Sequence, residues 1–163
     1  MIMIIVLKLI VIIALVMLIA FLLNKHEEEK VNVMSFREAL ELTELPVVAF
    51  KINGKNLHFL LDTGSNRSII NKKIAEKLEA VKQDGVKAYG LEGKVVEGYN
   101  TILRFNYRDK YFEEGFQVLD MTEPFKNVKH DTGVTLHGIL GNSFLEKYKY
   151  VLDFSKMIAY PKS

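Results

Sequence analysis

The stretch Phe59-Leu60-Leu61-Asp62-Thr63-Gly64-Ser65-Asn66-Arg67-Ser68-Ile69-Ile70 carries a carboxylate to the end of an apolar strand and then turns sharply. Gly64 lets the backbone pass beneath Asp62 where a side chain would block it. An acid held this way belongs on the floor of a cleft, not on a solvated face. Upstream, Pro46 opens a segment in which Val48, Phe50 and Ile52 alternate with Val47, Ala49 and Lys51, the period of a strand. Asn53-Gly54 is a strong hairpin signal. Leu57, Phe59 and Leu61 alternate back, so the second strand of this hairpin delivers Asp62. One later stretch belongs with it: Gly138-Ile139-Leu140-Gly141, followed by Asn142-Ser143-Phe144-Leu145, which reads as strand, tight turn and helix start.

Leu-Leu-Asp-Thr-Gly-Ser with a downstream apolar-apolar-Gly element resembles the aspartic proteases and, in size, their retroviral-type (retropepsin-like) branch. A bare Asp-Thr-Gly recurs by chance; the apolar strand before it, the serine after it and Ile139-Leu140-Gly141 make the match specific. The resemblance covers roughly Leu45 to Pro161. It implies a mostly β fold, a retropepsin-like closed β-barrel or acid-protease half-lobe, with one or two short helices. It implies that Asp62, Thr63 and Gly64 are the catalytic loop. Thr63 would bond across a dimer, and Gly64 would offer its N–H to the carboxylate. Ser65, where viral enzymes commonly have alanine, would bond the outer oxygen of Asp62 and favour its ionised state. Ile139, Leu140 and Gly141 would support the loop. Tyr89, Gly90 and Gly93 fall where the family has its flap, a mobile hairpin that closes over a bound peptide. Relatives often have Asp or Asn just before the Gly-Ile-Leu-Gly run; here the residue is His137. Terminal strands contribute to the dimer interface in the retroviral-type enzymes, and the apolar hairpin of residues 150–160 is compatible with that.

One carboxylate cannot be base toward water and acid toward a leaving nitrogen at once. Two of them about 3 Å apart cannot both ionise, so they share a proton and titrate as a unit. A second Asp-Thr-Gly, Asp131-Thr132-Gly133, is no partner for the first. Lys129-His130 precede it instead of an apolar strand, and the loop expected from Glu123 to Gly133 makes it a polar turn. The second carboxylate must then come from another copy, which puts Asp62 near its own symmetry mate. The expected function is an aspartic endopeptidase acting on peptide or protein substrates as a homodimer. The alternative is a non-catalytic dimerisation or peptide-binding module on the same fold. A third reading is a zymogen-like protease, active only once dimerised or released.

Composition narrows the rest. The 163 residues suffice for one domain, and without cysteine there is no disulfide and no thiolate metal site. His26, His58, His130 and His137 lack paired metal spacing, and the glycines near Gly90 lack a phosphate-loop ending, so neither metal nor cofactor is expected. The net charge is +2, which gives no electrostatic case for nucleic acid. Ile2 to Leu23 is apolar except for Lys8, long enough to span a bilayer and without a cleavage site. Residues 1–23 are therefore expected to be an uncleaved transmembrane anchor that partners the lipid bilayer. Lys25, Lys30 and Arg37 weakly favour a cytoplasmic domain. Asn66-Arg67-Ser68 matches a glycosylation sequon, which argues against a eukaryotic secretory lumen; the membrane side stays open. Residues 24–44 read as a charged linker, with Ser35-x-x-Glu38 as a capping box, and residues 45–163 as the protease domain. Ile70, Ile74, Leu78 and Val81 read as the core face of a helix. Strands are expected over 102–107 and 112–121, with no chemistry to assign.

Overall fold

The computed structural model describes residues 2–89 and 95–162; side chains are described except at 1–7, 9, 26–31, 88–96 and 163. The chain forms two compact units, Met1–Val33 and Met34–Ser163. The first is one helix, α1 (Ile2–Asn32). Its described apolar side chains, from Ile10 to Leu23, are exposed. The expected transmembrane span is not supported here: among the described residues no helix is long and apolar enough to cross a membrane.

The second unit is mostly β. In chain order it contains β1 (Met34–Ser35), α2 (Arg37–Thr43), β2 (Val47–Ile52), β3 (Lys55–Leu61), β4 (Ser68–Asn71), α3 (Lys72–Lys77) and β5 (Gly85–Tyr89). Then follow β6 (Val95–Tyr107), β7 (Lys110–Leu119), α4 (Thr122–Thr132), β8 (Gly138–Leu140), α5 (Asn142–Lys147), β9 (Tyr150–Asp153) and β10 (Ile158–Pro161). The larger sheet runs β2-β3-β8-β4-β7-β6-β5, and a further β2–β6 pairing at Lys51 and Asn106 closes six strands into a barrel. The hairpin β2–β3 turns at Asn53 and Gly54, both at positive φ, the conformation that a two-residue hairpin turn demands. Alternation then decides which side chains face in. Phe50 and Phe59 are fully buried, and Phe50 meets Phe59, Phe105, Tyr107, Phe112 and Phe144, mostly edge to face. Strand β8 lies parallel to β3, Phe59 opposite Gly138 and Leu61 opposite Leu140, and antiparallel to β4.

A smaller sheet, β1-β10-β9, joins the two ends of the unit. Met34 pairs with Ala159, Phe36 N–H donates to Met157 O at 3.1 Å, and Met34 and Phe36 are buried. The second half of the expected 24–44 linker is thus packed into the compact unit Met34–Ser163. Two apolar side chains in a charged stretch were enough to draw it in. The capping box does not form: Ser35 lies in β1, Phe36 takes the cap position of α2, and Ser35 Oγ accepts from Arg37 N–H at 3.4 Å instead of from Glu38. The helix expected over 70–81 is only α3. Ile70 belongs to β4, and Val81 is exposed. The loop expected from Glu123 is the helix α4. Its Pro124 stands in the first turn, where no intrahelical N–H is needed, and Phe125 is buried with Val47 and Leu136.

At the start of β8 two histidines interlock. His58 N–H donates to His137 Nδ1 at 3.0 Å, and His137 N–H donates to His58 O at 2.9 Å. An imidazole nitrogen accepting from an amide carries no proton. Burial, with His58 and Lys77 nearby, holds His137 below the usual histidine range. As pH falls below about 6.5 the unfolded chain takes up this proton first. The contribution of His137 is therefore complete above that pH and is lost as pH falls toward the folded value. Urea midpoints should decline from pH 7.5 to 5.5, and His137→Asn should flatten that slope. Phe50→Ala should cost about 3–5 kcal/mol in the same urea titration, because its ring cavity lies among five aromatic neighbours.

Candidate active site

Strand β3 ends at Leu61, and the parallel pairing with β8 extends one residue further, with Asp62 N–H donating to Leu140 O at 3.0 Å. The chain then turns. Ser65 N–H donates to Asp62 O at 3.3 Å, and Gly64 N–H donates to Asp62 Oδ1 at 2.8 Å. The carboxylate is fixed by its own turn. Asp62 and Ser65 are half-buried, while Thr63 and Gly64 are exposed.

The floor beneath this loop is the start of α5. Asn142 N–H donates to Ser65 O at 2.8 Å, Ser143 N–H to Asn66 O at 3.2 Å, and Asn142 Nδ2 to Thr63 O at 2.9 Å. Gly141 makes the approach possible: a Cβ there would lie 2.5 Å from Ser65 O and 2.6 Å from Arg67 O, closer than any side chain tolerates. Leu140 is buried and Ile139 half-buried. The structure therefore brings Asp62, Thr63, Gly64, Ser65, Ile139, Leu140 and Gly141 into one substructure.

Two expectations change, and a third falls on residues outside those described. Ser65 Oγ does not bond Asp62; its single proton goes to Arg67 O at 2.7 Å, two residues along the same turn. Tyr89 ends β5 opposite Val95 of β6, and Gly90 and Gly93 of the expected flap lie outside the described residues. Asp131-Thr132-Gly133 is the last turn of α4, not a loop. Thr132 Oγ1 donates to Val128 O, exposed Asp131 pairs with His130, and Gly133 caps the helix at φ 77°. No strand delivers this second acid.

Two residues under the loop escaped the sequence reading. Asn142 carries the Thr63 carbonyl, and Glu114, on β7, is buried at 3% exposure. Its Oε1 accepts from Ser143 Oγ at 2.7 Å and Ser68 Oγ at 3.1 Å. The signal was present: Phe112, Glu114, Phe116 and Val118 share the inward face of β7 by strict alternation. Beside the loop an open cavity of about 750 Å³ is lined by Thr63, Asn142, Leu145, Tyr150, Leu152 and Phe154. It lies to the side of the acid, since Thr63 and not Asp62 borders it. Burial raises the Tyr150 phenol far above its usual range, so this phenol stays uncharged, while Glu146, Lys149 and Lys162 put charges on the same wall. Among the described residues no group of three or more His, Asp or Glu side chains could hold a metal ion.

A family model described as aspartyl protease matches residues 48–144. No curated protein matches the chain. Among solved structures, a retropepsin-like aspartic protease from Rickettsia conorii is similar at TM-score 0.51 and 15% identity, over 78% of this chain and 95% of that one. The EIAV protease complexed with the inhibitor HBY-793 is similar at TM-score 0.49 and 23% identity, over 63% and 86%. The retroviral protease-like domain of Ddi1 from Leishmania major is similar at TM-score 0.46 and 17% identity, over 72% and 92%. The closed barrel is thus retropepsin-like, and with the matched segment running from β2 into α5, across the whole Asp62 loop and its floor, the chain belongs to the aspartyl protease family.

Proposed function

We propose that this chain is an aspartic endopeptidase whose catalytic unit is a homodimer, each copy giving one Asp62. The observation that carries this reading is the loop itself: an acid set by a strand end, held by Gly64 N–H, and clamped from below through Gly141 and Asn142. The second Asp-Thr-Gly is helical, so among the described residues each copy offers one such loop. Thr63 and Gly64 are exposed at its tip, which suits a surface completed by a symmetry mate.

In the dimer the two carboxylates hold one proton between them. The ionised one takes a proton from water as the oxygen attacks the scissile carbonyl carbon. The other gives its proton to the carbonyl oxygen, which leaves a tetrahedral diol. The C–N bond breaks as a carboxyl proton passes to the nitrogen and the other carboxylate receives a hydroxyl proton, so the pair returns to its starting state. The hairpin tip with Tyr89, Gly90 and Gly93 serves as the flap over an extended peptide.

Residues 1–23 anchor the enzyme in a bilayer in this reading. Its support is the apolar run from Ile2 to Leu23, its helical backbone, and the exposure of its described side chains. Anchoring concentrates the copies and favours pairing.

The full chain in detergent micelles should cleave members of a peptide library, and Asp62→Asn should lower the rate by about 10²–10⁴-fold or more. Specific activity should fall on dilution below the dimer dissociation constant. Absence of cleavage at every pH tested overturns the endopeptidase. Release of the chain from membranes by alkaline carbonate overturns the anchor.

A further inference from the structure

Glu114 has no role in the chemistry above, yet it lies at the centre of the polar contacts beneath the Asp62 loop. A carboxylate on an inward face shared with Phe112, Phe116 and Val118 is costly unless its oxygens are bonded. Here Oε1 is bonded in a directed way, and Oε2 faces a lysine. Ser68 Oγ and Ser143 Oγ each carry one proton, and both protons go to Glu114 Oε1. Their lone pairs are thereby turned toward the backbone. Ser143 Oγ accepts from Ser68 N–H at 3.2 Å, and Ser68 Oγ accepts from Gly141 N–H at 3.3 Å. Glu114 Oε2 lies 3.9 Å from Lys147 Nζ, which also donates to Glu113 O.

The two backbone amides served in this way are informative. Ser68 is the first residue of β4, where the Asp62 loop re-enters the barrel, and Gly141 is the glycine on which that loop rests. An ionised carboxylate can only accept, so it fixes both hydroxyl directions at once. Without it one of the two hydroxyls, 3.3 Å apart, is free to donate to the other, and neither direction is fixed.

We propose that Glu114 is a positioning residue for the reaction: through Ser68 and Ser143 it holds the Asp62 loop against Gly141. The effect on turnover rests on the endopeptidase reading; the effect on the loop does not. Loss of the acceptor loosens the loop while leaving the peptide-binding surfaces in place, so kcat falls and KM does not.

The test uses the full chain in detergent micelles, with peptide cleavage and backbone amide exchange as separate readouts. Glu114→Leu should lower kcat about tenfold or more with KM within about threefold, a loop displaced by a fraction of an ångström being enough. Exchange over residues 62–68 and 141–143 should speed up about tenfold or more while that of the β2–β3 hairpin stays at the wild-type rate. Glu114→Gln keeps an acceptor oxygen for both hydroxyls and should recover at least about a third of the wild-type kcat. If Glu114→Leu does not fold, Ser143→Ala removes one arm of the network and is held to the same two readouts. Wild-type kcat and loop exchange in the Leu variant overturn the proposal. So does equal acceleration over the whole barrel, or a Gln variant as impaired as Leu. If the wild type cleaves no peptide, the endopeptidase reading fails, and the exchange pattern alone decides the role of Glu114.

Discussion

The parallel pairing of β3 with β8 is the constraint on which the molecule depends. It sets Leu61 beside Leu140, carries Asp62 N–H onto the Leu140 carbonyl, and places Gly141 directly beneath the turn that follows. Parallel strands need a long crossover. Here that crossover includes β4 to β7 and α4, so most of the barrel is built between the acid and its floor. The pairing has three residues on the β8 side, too few to stand by ladder bonds alone. Aromatic packing around Phe50, Phe59 and Phe144 on one side and the hydroxyl–carboxylate contacts of Ser68, Ser143 and Glu114 on the other hold it in place.

The barrel was legible where its signals were local. The Val47–Leu61 hairpin declares itself by period-two alternation and by Asn53-Gly54, and the Asp62 loop by its apolar approach and its glycine. The terminal hairpin β9–β10 reads in the same way. Long-range contacts erased other signals. Ser35-x-x-Glu38 has the spelling of a helix cap, but Ser35 is taken by the strand pairing with Ile158. Ile70 has helical spacing to Ile74 and Leu78, but the parallel ladder with Val118 claims it first. Pro124 reads as a breaker and instead stands in a helix's first turn. Glu114 does not stand out in the sequence because a charged residue in a strand is usually solvated; its alternation with Phe112 and Phe116 points the other way.

The two Asp-Thr-Gly tripeptides show how little three residues specify. At Asp62 the strand behind and the helix start below impose a tight turn with an amide on the carboxylate. At Asp131 the same letters finish a helix, with threonine bonding back to Val128 and glycine as cap. The conformation resides in the partners.

The order of these partners along the chain has a consequence for the molecule during its synthesis. Asp62 is made early, but the floor that fixes it arrives with Gly141, and the outer sheet closes only when Ala159 meets Met34. At about 5–20 residues per second, the acid trails from the ribosome for several seconds with nothing beneath it. A nascent chain therefore carries the letters of the Asp62 loop before it has the partners that give the loop its shape.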